Sequence, residues 1–173
     1  MPARLRVFAK VTPLLITLLV VRFYSAVEGA EDHLAGTWEL VSFKVITADG
    51  RAGDTSMGPN PVGWIMYDGG GHMCVQIARS GRPNFSSTDG FSGNPDEEKV
   101  AYEGYIAYCG AYVVNEAEGF VTHHLAFSLY PNWTGTDQKR FFQLAGGQLT
   151  LTTPPFFRGG QQLTARLVWE RLR

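Results

Sequence analysis

The feature that most limits the possible folds of this chain is a series of short runs rich in β-branched and aromatic residues. Clusters of glycine, asparagine, aspartate and proline separate these runs, a pattern typical of β-strands joined by turns. The pattern predicts eight strands: Gly36–Val45, Val62–Tyr67, His72–Arg79, Tyr105–Val114, Phe120–Tyr130, Gln138–Leu144, Gln148–Thr152 and Leu163–Leu172. Asp68-Gly69-Gly70-Gly71 and Ala145-Gly146-Gly147 are short enough for hairpins, because glycine readily adopts positive φ. The sequence therefore predicts an all-β protein.

Eight strands with mostly short connections predict a closed, up-and-down antiparallel barrel, which leaves no strand edge unpaired. The alternative is a two-sheet sandwich, which usually needs long crossing connections. One short helix is predicted where Asn94 can cap and Pro95 fits the first helical position. The acidic residues 96–98 then suit the positive end of the helix dipole, and the helix should end near Gly104.

Residues 1–30 have the pattern of a signal peptide. Three basic residues precede an apolar stretch, Val11–Val21, which Arg22 ends. That stretch is shorter than the roughly 20 residues that a transmembrane helix needs. Small residues at Val27 and Gly29 allow cleavage after Gly29, although an uncleaved amphipathic anchor is the alternative. Residues 1–30 contain four basic residues and one acidic residue, so their removal changes the net charge from −1 to −4. We therefore predict a secreted or periplasmic barrel domain at 31–173, with no stable membrane span after cleavage.

The near-zero net charge also argues against a nucleic-acid partner, because such binding relies on attraction to phosphates. The two cysteines are far apart and form no C-x-x-C pair, which excludes a zinc ribbon built from cysteines. The chain also lacks the G-x-S-x-G and H-E-x-x-H motifs. No metal and no cofactor is predicted.

Several segments resemble a known family in their order along the chain. The first strand begins with the G-x-W pattern Gly36-Thr37-Trp38, and the last strand ends with Trp169-Glu170-Arg171. The segments that carry the resemblance are Leu34–Ser42, Gly71–Met73, Val75–Ile77, Arg82–Phe85, Ala107–Tyr112, Val121–His124, Pro131–Phe142 and Leu167–Arg171. Over nearly all of residues 34–172 the chain resembles the bacterial and fungal lipocalin-like domain family. Cys74 and Cys109 depart from the pattern, where a serine-like and a small residue are expected.

The resemblance implies a lipocalin barrel whose closed end is built from Trp38 and Arg171. In lipocalins the tryptophan of the first strand packs beneath an arginine from the last strand. A guanidinium above an indole face is a favourable cation–π contact, and it is stronger when desolvated. The family is defined mainly by its fold, so the resemblance implies little about function.

Strand alternation assigns His123 to the face that also carries Leu125 and Phe127, which we expect to point inward. His123 is then either a polar anchor for a ligand or a core histidine with a protein partner. Adjacent histidines on a strand point to opposite faces, so His123 and His124 are too far apart to share a metal. Arg140 alternates with Phe142 and is also expected to point inward. It either recognises a carboxylate or enolate on a ligand, or forms an internal ion pair with a glutamate such as Glu39, Glu103 or Glu170.

Tyr108 and Tyr112 share a strand face and either line a cavity or pack in the core. The predicted ligand site has an apolar wall and two polar anchors: Tyr108, Tyr112, Leu125, Phe127 and Phe142, with His123 and Arg140.

Cys74 and Cys109 fall on neighbouring strands, so they form either a cross-strand disulfide or two buried free thiols. Asn84 and Asn132 lie in glycosylation acceptor patterns, which matter only in a eukaryotic secretory pathway.

Three functions remain open. The first is an exported protein that binds a small, lipophilic molecule inside the barrel, without catalysis. The second is a cyclase or isomerase for a polyketide- or terpenoid-like substrate, with His123 as general acid or base and Arg140 stabilising an enolate. The third is a non-catalytic envelope or interaction protein. The sequence does not indicate an oligomeric state.

Overall fold

The computed structural model describes residues 33–53 and 55–173. The predicted signal peptide, residues 1–30, lies outside the described residues. The strands in the described part are β1 Gly36–Thr47, β2 Ala52–Gly53, β3 Val62–Tyr67, β4 His72–Ala78, β5 Tyr105–Asn115, β6 Phe120–Ser128, β7 Asp137–Ala145, β8 Gln148–Thr152, β9 Phe156–Arg158 and β10 Gln161–Arg171. A helix, α1 Pro95–Glu103, precedes β5, and a 3₁₀ turn at Pro131–Trp133 lies between β6 and β7.

Eight of these strands form a closed barrel. Each strand pairs antiparallel with its neighbour in the order β1-β3-β4-β5-β6-β7-β8-β10, and β10 pairs with β1 to close the sheet. The two short strands extend this barrel at its rim, where β2 pairs with β1 and β9 pairs with β10. The predicted eight-stranded, up-and-down barrel is therefore confirmed, and the sandwich alternative is excluded.

The predicted short helix is also confirmed, with the expected cap. The Asn94 side-chain oxygen accepts hydrogen bonds from the backbone N–H groups of Asp96 and Glu97, at 3.1 and 3.0 Å. The Glu97 carboxylate in turn accepts from the Asn94 N–H, so both halves of a capping box are present. Hydrogen bonds from the backbone N–H groups of Ser86 and Asn94 lower the pKa of Glu97. The bond from Ser86 thereby joins the first turn of the helix to the preceding part of the long connection between β4 and β5.

One end of the barrel is sealed by tryptophans. Trp38 and Trp169 are completely buried there with Leu34. The Arg171 guanidinium lies 4.1 Å from the centroid of the Trp38 ring and donates hydrogen bonds to the carbonyls of His33 and Ala35. This end is termed the closed end. The opposite end, which carries α1 and the connection between β6 and β7, is termed the open end.

A β-bulge changes which side chains of β6 face the interior. Gly110 pairs with Leu125 but Cys109 pairs with Phe127, so Ala126 is the extra residue on β6. Strict alternation therefore fails after Leu125, which is buried, and Phe127 turns outward with 63% of its surface exposed. The prediction that Phe127 lines the interior is wrong for this reason.

Cys74 and Cys109 form a disulfide between β4 and β5, the first of the two predicted alternatives. Their strand neighbours Met73, Val75 and Tyr108 are buried, so the cystine lies on the outer face of the sheet. We expect the double variant Cys74→Ala/Cys109→Ala to lose about 3 kcal/mol of unfolding free energy, because the bond closes a loop with a sequence separation of 35 residues.

Chemical denaturation of oxidised protein measures this loss. Reductant should destabilise the wild type to a similar extent and leave the double variant unchanged. Equal midpoints for the oxidised wild type and the double variant would show that the bond does not stabilise the fold.

Candidate functional site

A histidine between two tyrosines occupies the centre of the barrel. His123 on β6 is completely buried. Its Nε2 lies 2.8 Å from the hydroxyl of Tyr67 on β3, and its Nδ1 lies 3.4 Å from the hydroxyl of Tyr108 on β5. Both tyrosines are also buried, because inward-facing positions of these three strands meet in the interior.

The central imidazole is neutral. Burial lowers the pKa of His123 well below its usual value, and the positive charge of Arg140 lowers it further. Burial likewise raises the pKa of Tyr67 well above its usual value, and the neighbouring Tyr108 adds to this rise. A neutral imidazole has one N–H donor and one acceptor nitrogen, so one tyrosine accepts from the ring and the other donates to it. Both ring nitrogens are therefore engaged within the protein.

Arg140 lies beside this cluster and is only partly buried. One of its nitrogens donates to the Lys139 carbonyl at 2.8 Å, and another lies 3.5 Å from the Tyr108 hydroxyl. Among the described residues, no carboxylate lies within 4 Å of its guanidinium. The predicted ion pair with Glu39, Glu103 or Glu170 is thus not formed in this part of the chain.

The other predicted wall residues divide into two groups. Tyr112 and Leu125 are buried core residues, and the Tyr112 hydroxyl donates to the Asp68 carbonyl at 2.9 Å, toward the closed end. Phe142 is only partly buried and packs against the core. Phe127 lies outside the barrel. Of the predicted wall, Tyr108 is the residue that contacts both His123 and Arg140.

A pocket of about 430 Å³ opens at the rim of the barrel. Apolar and aromatic side chains supply much of its lining: Met57, Tyr102, Tyr105, Ile106, Leu129 and Trp133. Glu103 and Arg158 are the charged residues of the lining. Trp133 connects this pocket to the interior, because its ring makes an edge contact with the ring of Tyr108 at a centroid distance of 6.0 Å. Contacts from Trp133 to Tyr108 and from Tyr108 to Arg140 lead inward from the pocket. We term the pocket together with these three residues the open-end site.

Three residues of this region were missed in the sequence. Tyr67 was not paired with His123, because their strands are separated in the barrel by two others. Met57 and Trp133 lie in connections, where alternation makes no prediction. The signal for Trp133 was present, since a large aromatic residue in an otherwise polar turn between strands needs a packing partner or a ligand.

The remaining polar candidates lie on the surface. His124 is exposed and pairs with Asp137, with 2.6 Å between Nδ1 and Oδ1. Asn84 and Asn132 are exposed. No group of three or more His, Cys, Asp or Glu side chains in the described ranges is placed to bind a metal ion. In those same ranges no helix has the length and apolarity needed to cross a membrane.

Comparison with known proteins gives the same family that the closed-end residues indicate. The family model of the lipocalin-like domain matches residues 35–172. A curated protein from Aspergillus oryzae, the 4'-hydroxy-3'-methoxypropiophenone carrier protein ppsC, is 33% identical over 107 residues, which cover 58% of this chain and 96% of that protein. With its closed barrel and this match over most of its length, the chain belongs to the lipocalin-like domain family.

Proposed function

We propose that this protein binds a small, mostly apolar aromatic molecule in the open-end site. The observation that carries the proposal is the pocket at the open end, where Ile106 and Trp133 pack against the core and remain only partly buried. A side chain that faces a barrel interior and keeps accessible surface borders space that the protein itself does not fill. Burial of an apolar ligand against these side chains would remove that surface from water.

The size and the lining of the rim pocket support a ligand of one or two rings. A volume of about 430 Å³ falls within the range of roughly 300 to 1,000 Å³ that is common for small-molecule sites. Aromatic walls favour aromatic ligands through offset and edge contacts. The family member ppsC is named as the carrier of an aryl ketone, which is a ligand of this size and character.

We also propose that the protein acts outside the cytoplasm. Residues 1–30 carry the basic, apolar and small-residue regions of a signal peptide. The disulfide between Cys74 and Cys109 supports the same location, because such bonds persist in oxidising compartments.

The ligand site is tested by comparing two tryptophans. The aryl ketone 4'-hydroxy-3'-methoxypropiophenone is titrated into the purified protein and its affinity is measured by calorimetry. Trp133→Leu is expected to weaken binding about tenfold, because loss of an aromatic contact costs about 1.4 kcal/mol. Trp64→Leu is the matched control, since Trp64 lies on the outer face of β3 with 53% of its surface exposed.

Unchanged affinity in the Trp64→Leu variant is expected. No measurable heat with the wild type would reject this ligand class. Equal losses of affinity in Trp133→Leu and Trp64→Leu would place binding outside the open-end site.

A further inference from the structure

The charge on Arg140 has no counterion in the part of the chain that the structure describes. A guanidinium offers five N–H donors in a planar fork. Within residues 33–53 and 55–173, those of Arg140 reach only the Lys139 carbonyl and, at the limit of hydrogen bonding, the Tyr108 hydroxyl. A partly buried charge without a partner of opposite charge is costly, so such a group is usually paired. The remaining N–H groups of the Arg140 guanidinium can therefore donate to a further acceptor.

In the described part of the chain, the groups that face the interior beside Arg140 supply no negative charge. Tyr67, Tyr108 and Tyr112 face the interior from β3 and β5, and His123 faces it from β6. Burial keeps the His123 ring neutral by lowering its pKa and keeps Tyr67 neutral by raising its pKa. The interior cluster thus carries one positive charge.

The neighbouring cation Lys139 is differently placed. Its ammonium lies 3.5 Å from the centroid of the Phe120 ring and 5.1 Å from that of Phe141. Phe141 is exposed, so this cation lies on the outer face of the barrel. The two adjacent cations on β7 therefore have different environments, and of these two only Arg140 contacts Tyr108. The rim pocket itself is lined by one further cation, Arg158, and by the carboxylate of Glu103.

We propose that the open-end site binds its aromatic ligand as an oxyanion, with the ionised ligand oxygen accepting hydrogen bonds from the Arg140 guanidinium. This inference rests on the proposed function and adds the chemical class of the ligand. Tyr108 contacts both Trp133 and Arg140, so the Arg140 guanidinium is separated from the Trp133 ring by one side chain. A ring against Trp133 can thus direct a phenolate, enolate or carboxylate toward the guanidinium, and such charge-assisted pairs are among the strong hydrogen bonds.

Two coumarins separate this inference from the proposed function. The probes are 7-hydroxycoumarin, whose phenol ionises, and 7-methoxycoumarin, which has a similar shape but no ionisable group. We expect the wild type to bind the hydroxy probe at least tenfold more tightly. The bound hydroxy probe should also show the absorption spectrum of the phenolate at a pH about one unit below that needed for the free probe, because a nearby cation lowers a phenol pKa.

The variants assign the effect to one residue. Arg140→Gln should remove both the tenfold preference and the phenolate spectrum, and binding of the methoxy probe should remain. Arg140→Lys, which keeps the charge, should retain the phenolate spectrum with a reduced preference. Lys139→Gln is the matched control and should behave as the wild type.

Each remaining outcome counts against a specific statement. Equal affinity for the two probes, or a bound hydroxy probe with the spectrum of the neutral phenol, would overturn the oxyanion inference and leave the proposed function in place. Persistence of the preference in Arg140→Gln would overturn the role of Arg140. Binding of neither probe would count against the proposed function itself, and the oxyanion inference would fall with it.

Discussion

Replacing Gly110 with alanine is expected to lower the free energy of unfolding by about 4 kcal/mol. A methyl group at this position would overlap the carbonyl oxygen of His124 and lie 2.9 Å from the backbone nitrogen of Ala126. Both neighbours are backbone atoms, so no side-chain rotation relieves the overlap. The strands must separate, which breaks ladder hydrogen bonds beside the bulge.

Chemical denaturation followed by circular dichroism measures this loss. Gly69→Ala is the matched control, because nothing lies within 4 Å of a methyl group added at Gly69 and its φ is not positive. That variant should unfold at the same denaturant concentration as the wild type, or slightly above it. If Gly110→Ala has the midpoint of the wild type, β5 and β6 do not approach as closely as the bulge requires.

The barrel could be predicted from the sequence because its signals are local. Each strand has its own run of β-branched and aromatic residues, and glycine clusters such as 69–71 and 146–147 mark the hairpins between them. The bulge on β6 is not a local feature. It depends on how Leu125 and Phe127 pair with β5, so the period-two pattern alone assigned Phe127 to the wrong face.

The candidate site was predictable where the orientation of a residue follows from the alternation of side chains along a strand. His123 and Arg140 lie within their predicted strands before any irregularity, so both were placed correctly toward the interior. The partners of these residues were not predictable. Tyr67 reaches His123 across the barrel, and the lack of a carboxylate beside Arg140 among the described residues is a property of three-dimensional packing. Ion pairs and ligand sites involve the same residue types, so composition cannot separate them.

Acidification is expected to destabilise the barrel, and His123 is expected to cause the loss that begins as the pH falls below 6.5. The folded state lowers the pKa of His123 from its ordinary value of 6.5, chiefly by burial. Below pH 6.5 the unfolded chain therefore binds a proton that the folded protein does not bind. The free energy of unfolding should fall by up to about 1.4 kcal/mol for each pH unit in this range. The carboxylates with lowered pKa, those of Asp49, Asp68 and Glu97, lose their contributions only at lower pH.

His123→Ala tests this assignment because it removes the proton site and the hydrogen bonds together. At pH 7.5 the variant should lose about 4 kcal/mol, because it leaves the Tyr67 hydroxyl unpaired and opens a cavity in the core. Its stability should then change little as the pH first falls below 6.5, so the two pH profiles should converge. His124→Gln, which alters an exposed histidine paired with Asp137, should keep the steep profile of the wild type. A steep profile that persists in His123→Ala would mean that the buried imidazole is not the group whose protonation opposes folding.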